Sequence, residues 1–243
     1  MKPIIQKIRV LATIAFFALA SQVLMTSCGC ITGTGPVVQK EREIRKARHV
    51  VVNLDADIIL SQTNEPKVVV TTNPNVQKYI KVRQQGDVIT IKSSRCFGKN
   101  PNLTIEIGLP EPESVTLNSD AQLKTTGNRI DVKSFTLVST GNGVVNMILS
   151  TVDLNIKTTA RSKVFVNGFT GNLNLELSDR AQFFGLGTPA STANVQLHGS
   201  SKAQVQVQKK LEAKLETGTT LDYRGKKGIE VAVSGEGRVK ELE

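Results

Sequence analysis

Arg161 and Arg180 stand 19 residues apart, and Asp179 directly precedes the second of them. If the chain folds back on itself once in that interval, the two guanidiniums become neighbours. Planar guanidinium forks hold carboxylates in paired hydrogen bonds, so such a pair could clamp an acidic sugar. With Asp179 beside them, the same residues supply the carboxylate and cations that a polysaccharide lyase or hydrolase requires. The competing reading is that these residues are polar only because a turn faces water. Asp55 and Asp57 in NLDADI are a second candidate, two residues apart on one strand face, either a cation site or a solvated strand edge. Nucleophilic catalysis is poorly supplied. Only His49 and His198 could act as an imidazole base, and neither lies in a recognisable catalytic motif. Two histidines and scattered cysteines give no ligand spacing, so no metal and no cofactor is expected.

What must position these residues begins after an export segment. Lys2, Lys7 and Arg9 precede an apolar run from Val10 to Ala20, and small residues follow up to Met25-Thr26-Ser27-Cys28. A positive head, a short greasy core and a small-residue exit make a secretory signal over residues 1–27. The run is too short for a spanning helix, which needs roughly 20 apolar residues. The exit resembles the bacterial lipobox, which implies cleavage before Cys28 and acylation of that residue. The alternative is ordinary cleavage that leaves Cys28 a plain thiol.

The remaining 216 residues suffice for one sizeable domain and carry 28 Lys and Arg against 21 Asp and Glu. That excess suits an anionic neighbour or merely a soluble surface, and the charges are scattered along the chain. Nucleic acid is excluded as a partner: the exported chain has two Tyr and six mature Phe, with no aromatic–basic interleaving. Cys30 and Cys96 could pair in an oxidising envelope or stay free.

Residues 28–36, CGCITGTGP, read as a flexible tether, and residues 39–49 as a short solvated helix or an edge strand. From Val50 onward short β-rich runs alternate with turn residues, and no segment keeps a 3.6-residue apolar period. Seven segments share one template, beginning at 115, 137, 156, 175, 195, 213 and 231. The first column is aliphatic: Val115, Leu137, Ile156, Leu175, Val195, Ala213, Val231. The seventh is small: Ala121, Gly143, Ser162, Ala181, Ser201, Thr219, Gly237. The ninth is apolar: Leu123, Val145, Val164, Phe183, Ala203, Leu221, Val239. A period near 20 residues marks stacked units that cannot bury their faces alone. The pattern predicts an all-β fold, a parallel β-helix or β-solenoid with coils of about 18–22 residues. It occupies residues 37–243 as one domain, with regular repeats over 115–239. The small column then marks a corner too tight for a long side chain, and the sixth column places Arg161 beside Arg180. A β-sandwich is the alternative architecture.

The corners VSGEGRV (233–239) and VSTGNGVV (138–145), with Gly35-Pro36-Val37-Val38 and HVVVNLDADIILSQ (49–62), resemble the bacterial family called putative auto-transporter adhesin, head GIN domain. The resemblance covers residues 35–240 and implies a right-handed β-helix at the cell envelope. Here several serine–glycine corners have become NSDA, TTARS, LSDRA and HGSSK, which suits a tolerant turn better than a strict ligand code.

These readings combine into a non-catalytic solenoid lipoprotein of a Gram-negative envelope, held by lipid to the outer membrane, on its periplasmic or surface face. It would serve as an adhesion or surface-interaction scaffold, with a lyase or hydrolase acting on acidic glycan as the alternative. Expected partners are the membrane, an anionic glycan or a protein, and a second copy docking on the solenoid end. No acidic cluster follows Cys28, unlike the residues resembling a surface-export tag in some Gram-negative lipoproteins, which leans towards the periplasmic face.

Overall fold

The computed structural model describes residues 29–98, 102–127 and 129–243; the signal segment and Cys28 lie outside them. Short elements come first: β1 (Val38–Arg42), β2 (His49–Asn53), β3 (Asp57–Gln62), β4 (Lys67–Thr72), helix α1 (Pro74–Gln77), β5 (Ile80–Gln85), β6 (Val88–Ser93), β7 (Thr104–Leu109), β8 (Ser114–Leu117) and β9 (Gln122–Thr125). Longer strands follow: β10 (Ile130–Ser139), β11 (Val144–Thr158), β12 (Lys163–Leu177), β13 (Gln182–Leu197) and β14 (Lys202–Leu215). The chain closes with β15 (Thr220–Gly225), β16 (Glu230–Gly235) and β17 (Arg238–Glu241).

These strands wind into a stacked parallel β-solenoid of about seven turns, as the repeat predicted. From β10 onward each coil pairs in parallel with the next, with Ile156 opposite Leu175 and Leu175 opposite Val195. Aliphatic columns thereby stack into an interior spine. Leu137, Val195, Val145, Val164 and Leu221 are completely buried, and each such side chain contributes about 1.5–3 kcal/mol over its exposed state. The small column lies inside as well: Ala121, Ser162, Ala181 and Ser201 have no exposed surface. At Gly143 even a Cβ would overlap the carbonyl oxygen of Ala121 in the preceding coil. The opposite bend is sealed by inward threonines. The Thr151 hydroxyl lies 2.9 Å from the Lys133 carbonyl and 3.1 Å from that of Asp153, so its one hydrogen is shared between two acceptors of the bent backbone.

Coil order departs from chain order at the N-terminal end. β2 lies between β6 and β8, and β3 between β7 and β9. VVVNLDADI (50–58) is therefore an eighth copy of the template, with Ala56 at the corner and Ile58 opposite Leu123. The outermost strands are antiparallel: among the described residues β1 pairs only with β4, and β5 only with β6. Of residues 39–49, the first four belong to an edge strand, 43–48 form neither helix nor strand, and His49 opens β2.

Two details revise the sequence reading. Residues 30–35 are fastened rather than loose: Cys30 and Cys96 form a disulfide with Cα atoms 4.8 Å apart. The Asn75 amide donates to the Thr32 carbonyl at 2.8 Å, and its Oδ1 accepts from the Thr34 N–H at 2.9 Å. In the last coil Ala213 faces Val233, not Val231. Earlier corners spend four residues between paired positions, as from Leu215 to Thr220, whereas Gly235 to Arg238 spends two. Gly235 permits that short corner with φ +95°, where a Cβ would overlap the Leu215 carbonyl.

Candidate functional site

The sixth column is a row of exposed corner residues on the outside of successive coils, running Asp120, Asn142, Arg161, Arg180 and Ser200. The new coil adds Asp55 above Asp120. These side chains hold the corners to one another. The Asp55 carboxylate accepts the Asp120 N–H at 2.9 Å, and that of Asp120 accepts the Asn142 N–H at 2.7 Å. In the fifth column the Asp179 carboxylate accepts the Ala160 N–H at 3.0 Å. Ala160 and Asp179 both sit in the left-handed region, at φ 58° and 60°.

Asp179 is thus engaged in stitching coils, while Arg161 and Arg180 remain exposed on adjacent corners and form no ion pair among the described residues. They do lie on one row, as their spacing predicted. Asp55 and Asp57 do not share a strand face: Asp55 is in the corner and Asp57 begins β3. No group of three or more His, Cys, Asp or Glu among the described residues is arranged to hold a metal ion.

The histidines are separated and structurally engaged. His198 Nδ1 lies 2.9 Å from Glu216 Oε1 in the next coil. That contact, then the Gly199 N–H, holds the Glu216 carboxyl below the usual range. His49 Nδ1 bonds the Ser114 hydroxyl at 2.8 Å.

Three further surfaces were less legible. One sheet face carries polar ladders around a shallow depression of about 300 Å³. Asn174 Nδ2 donates to Asn155 Oδ1 at 2.9 Å, and Lys157 meets Glu176 at 2.7 Å. A groove of about 880 Å³ separates the disulfide loop from the corners of Asp55 and Asp120, with Arg95 on the loop side. On the other sheet face Phe165 and Phe184 stack with ring centres 4.5 Å apart and planes 7° apart. Their partners are each other, one coil apart, which no single-residue count of aromatics exposes. Among the described residues no helix is long and apolar enough to cross a membrane.

The profile of the family described as putative auto-transporter adhesin, head GIN domain, matches residues 48–226. No curated protein matches the chain in sequence. Among solved structures, a putative adhesin from Bacteroides fragilis superposes with a TM-score of 0.81 at 14% identity, over 87% of this chain and 100% of the other. A putative adhesin from Parabacteroides merdae gives 0.72 at 15% identity, over 88% and 99%. A putative lipid binding protein from Parabacteroides distasonis gives 0.69 at 15% identity, over 88% and 100%. At these identities the likeness is one of fold.

Proposed function

The chain belongs to the family of putative auto-transporter adhesins with the head GIN domain, and from that premise we propose that it is a lipid-anchored, non-catalytic adhesion module of a Gram-negative envelope. Acylation of Cys28 would hold it to the outer membrane, and the solenoid would present its regular exterior to a ligand. The supporting observation is the pair of exposed guanidiniums, Arg161 and Arg180, on successive corners. Parallel strands repeat about every 4.8 Å, so the two cations recur at a spacing that an acidic polysaccharide can follow with successive carboxylates. The carboxylate beside them is occupied by the Ala160 N–H, which favours binding over acid–base chemistry.

Binding of acidic polysaccharide to the protein, compared with Arg161→Ala and Arg180→Ala, tests this reading. Weaker binding in either variant with intact polysaccharide supports it. Shortening of the polysaccharide that is lost in those variants would establish the lyase or hydrolase instead. Protease treatment of intact cells then separates the two faces of the membrane: digestion fits adhesion, and protection fits a scaffold facing the periplasm.

A second copy is the proposed occupant of the C-terminal end. Val231 and Val233 continue the interior columns there but stay 39% and 41% exposed, and an open β edge invites strand pairing. Light scattering that returns only monomer at high concentration would remove this part.

A further inference from the structure

We propose that the N-terminal end of the solenoid is a docking surface for an anionic phospholipid bilayer, acting together with the lipid on Cys28. The inference rests on reading Cys28 as the acylated residue. It concerns a different part of the molecule from the corner arginines.

The net charge of the protein is concentrated at this end. Residues 40–95 hold eleven Lys and Arg against six Asp and Glu, whereas residues 96–243 hold 17 against 15. The fold gathers several of those cations further. β1 and β5 are the outermost strands of the two sheet faces, because among the described residues each has a partner on one side only. Between them lies a concavity of about 480 Å³ whose lining includes Lys40, Arg42, Lys78, Lys81 and Arg83 and, among the described residues, no carboxylate. Glu41 alternates onto the other face of β1.

Several features indicate that this cluster awaits an external anion. Lys40, Lys78, Lys81 and Arg83 form no ion pair among the described residues. Lys81 stands directly opposite Lys92 across the antiparallel β5–β6 pair, a placement that destabilises a sheet through like-charge repulsion. Arg42 is held in position: its guanidinium donates to Gln77 Oε1 at 2.9 Å. The Gln77 amide is itself fixed by donating to the Val70 carbonyl at 2.6 Å. Charged residues also protect sheet edges from aggregation, but edge protection does not call for cations alone around one hollow.

The start of the described chain lies beside this surface. The leader bonds Asn75 through Thr32 and Thr34, and the neighbouring Pro74 lines the concavity. The Ser94 N–H, two residues from the disulfide, donates to the Tyr79 carbonyl at 3.1 Å, next to Lys78. Because Cys30 is crosslinked to Cys96, an acyl group on Cys28 is tied within about 7 Å of that crosslink, the reach of two residues. The anchor therefore holds the basic end near the headgroups. A multiply acylated cysteine anchors stably, and the basic patch adds electrostatic attraction that turns this end of the solenoid onto anionic headgroups.

The test uses the mature chain carrying Cys28→Ser, which lacks the acyl group, in co-sedimentation with vesicles. Binding to phosphatidylcholine vesicles containing about a third phosphatidylglycerol should exceed binding to pure phosphatidylcholine at least tenfold, roughly. It should fall as salt rises from about 0.05 M to about 0.3 M. The triple variant Lys40→Glu, Lys81→Glu, Arg83→Glu should lose about tenfold or more, and the milder pair Lys81→Gln, Arg83→Gln should lose less. Lys202→Glu with Arg238→Glu, towards the far end, should bind like the parent. All variants are checked for the parent's β-sheet circular dichroism spectrum. Equal binding to both vesicle types, or equal loss in the distal pair, overturns the proposal. Fatty-acid labelling of the unmodified protein reports on the anchor separately, so failure of the anchor and failure of the docking surface are distinguishable.

Discussion

Ala181→Leu places a four-carbon side chain at the inner corner where the repeat allows almost nothing. Ala181 has no exposed surface, and the equivalent Ser162 and Ser201 in the coils on either side have none either. The corner is also clamped: the Lys202 N–H donates to the Ala181 carbonyl at 3.0 Å, and the Gln182 N–H to the Ser162 carbonyl at 2.9 Å. With strands about 4.8 Å apart, the added methine and two methyl groups must push a neighbouring coil or leave their rotamer. Overpacking of this kind costs about 1–3 kcal/mol, and the clamped corner puts the expectation near 3 kcal/mol. For a domain of this size that corresponds to a fall in Tm of roughly 6–12 °C. Thermal unfolding followed by far-UV circular dichroism reads it directly. Arg180→Leu, one residue away and exposed, should stay within about 0.5 kcal/mol of the parent. Equal melting of the two variants would refute the argument that the small column marks a closed corner.

Ala160→Gly should stabilise the protein by about 0.5–1 kcal/mol in urea unfolding, because Ala160 occupies φ 58° and glycine enters that region without a Cβ penalty. Cys30→Ser with Cys96→Ser should destabilise by about 2–4 kcal/mol, since the crosslink closes a separation of 66 residues; a reductant should reproduce the loss in the parent and leave the variant unchanged. The pKa of Glu216 is depressed in the fold by the His198 contact. Its stabilisation is therefore present above the unfolded value, about 4.3, and is lost as pH falls through the folded value. Stability measured between roughly pH 5 and pH 3 should decline less steeply in Glu216→Gln than in the parent.

The regular half of the fold was legible because its physics repeats. An inner corner excludes large side chains at the same height in every coil, and the spine demands aliphatic residues two positions beyond. Where one coil is built differently, the columns mislead. The repeat sets Val231 beneath Ala213, but the short Gly235 corner brings Val233 there. VVVNLDADI carries the same columns, yet its coil partner SVTLNSDAQL lies 65 residues downstream, because later strands are laid on both sides of it. A search for a steady period passes over such an inserted coil. The cysteine pair was equally hidden, since only the packing of the leader against the 93–98 loop brings Cys30 to Cys96. Arg161 and Arg180 were found through their spacing. Lys40, Lys81 and Arg83 were not: they come from two strands that meet only at the capped end, and in sequence their charges look scattered.

Incorporation of a labelled fatty acid reads the tether of the solenoid to the envelope. Label should appear on the wild-type protein and be absent from Cys28→Ala, which should be released from the membrane fraction. An unlabelled wild-type protein, or label that survives Cys28→Ala, would show that Cys28 does not carry the anchor.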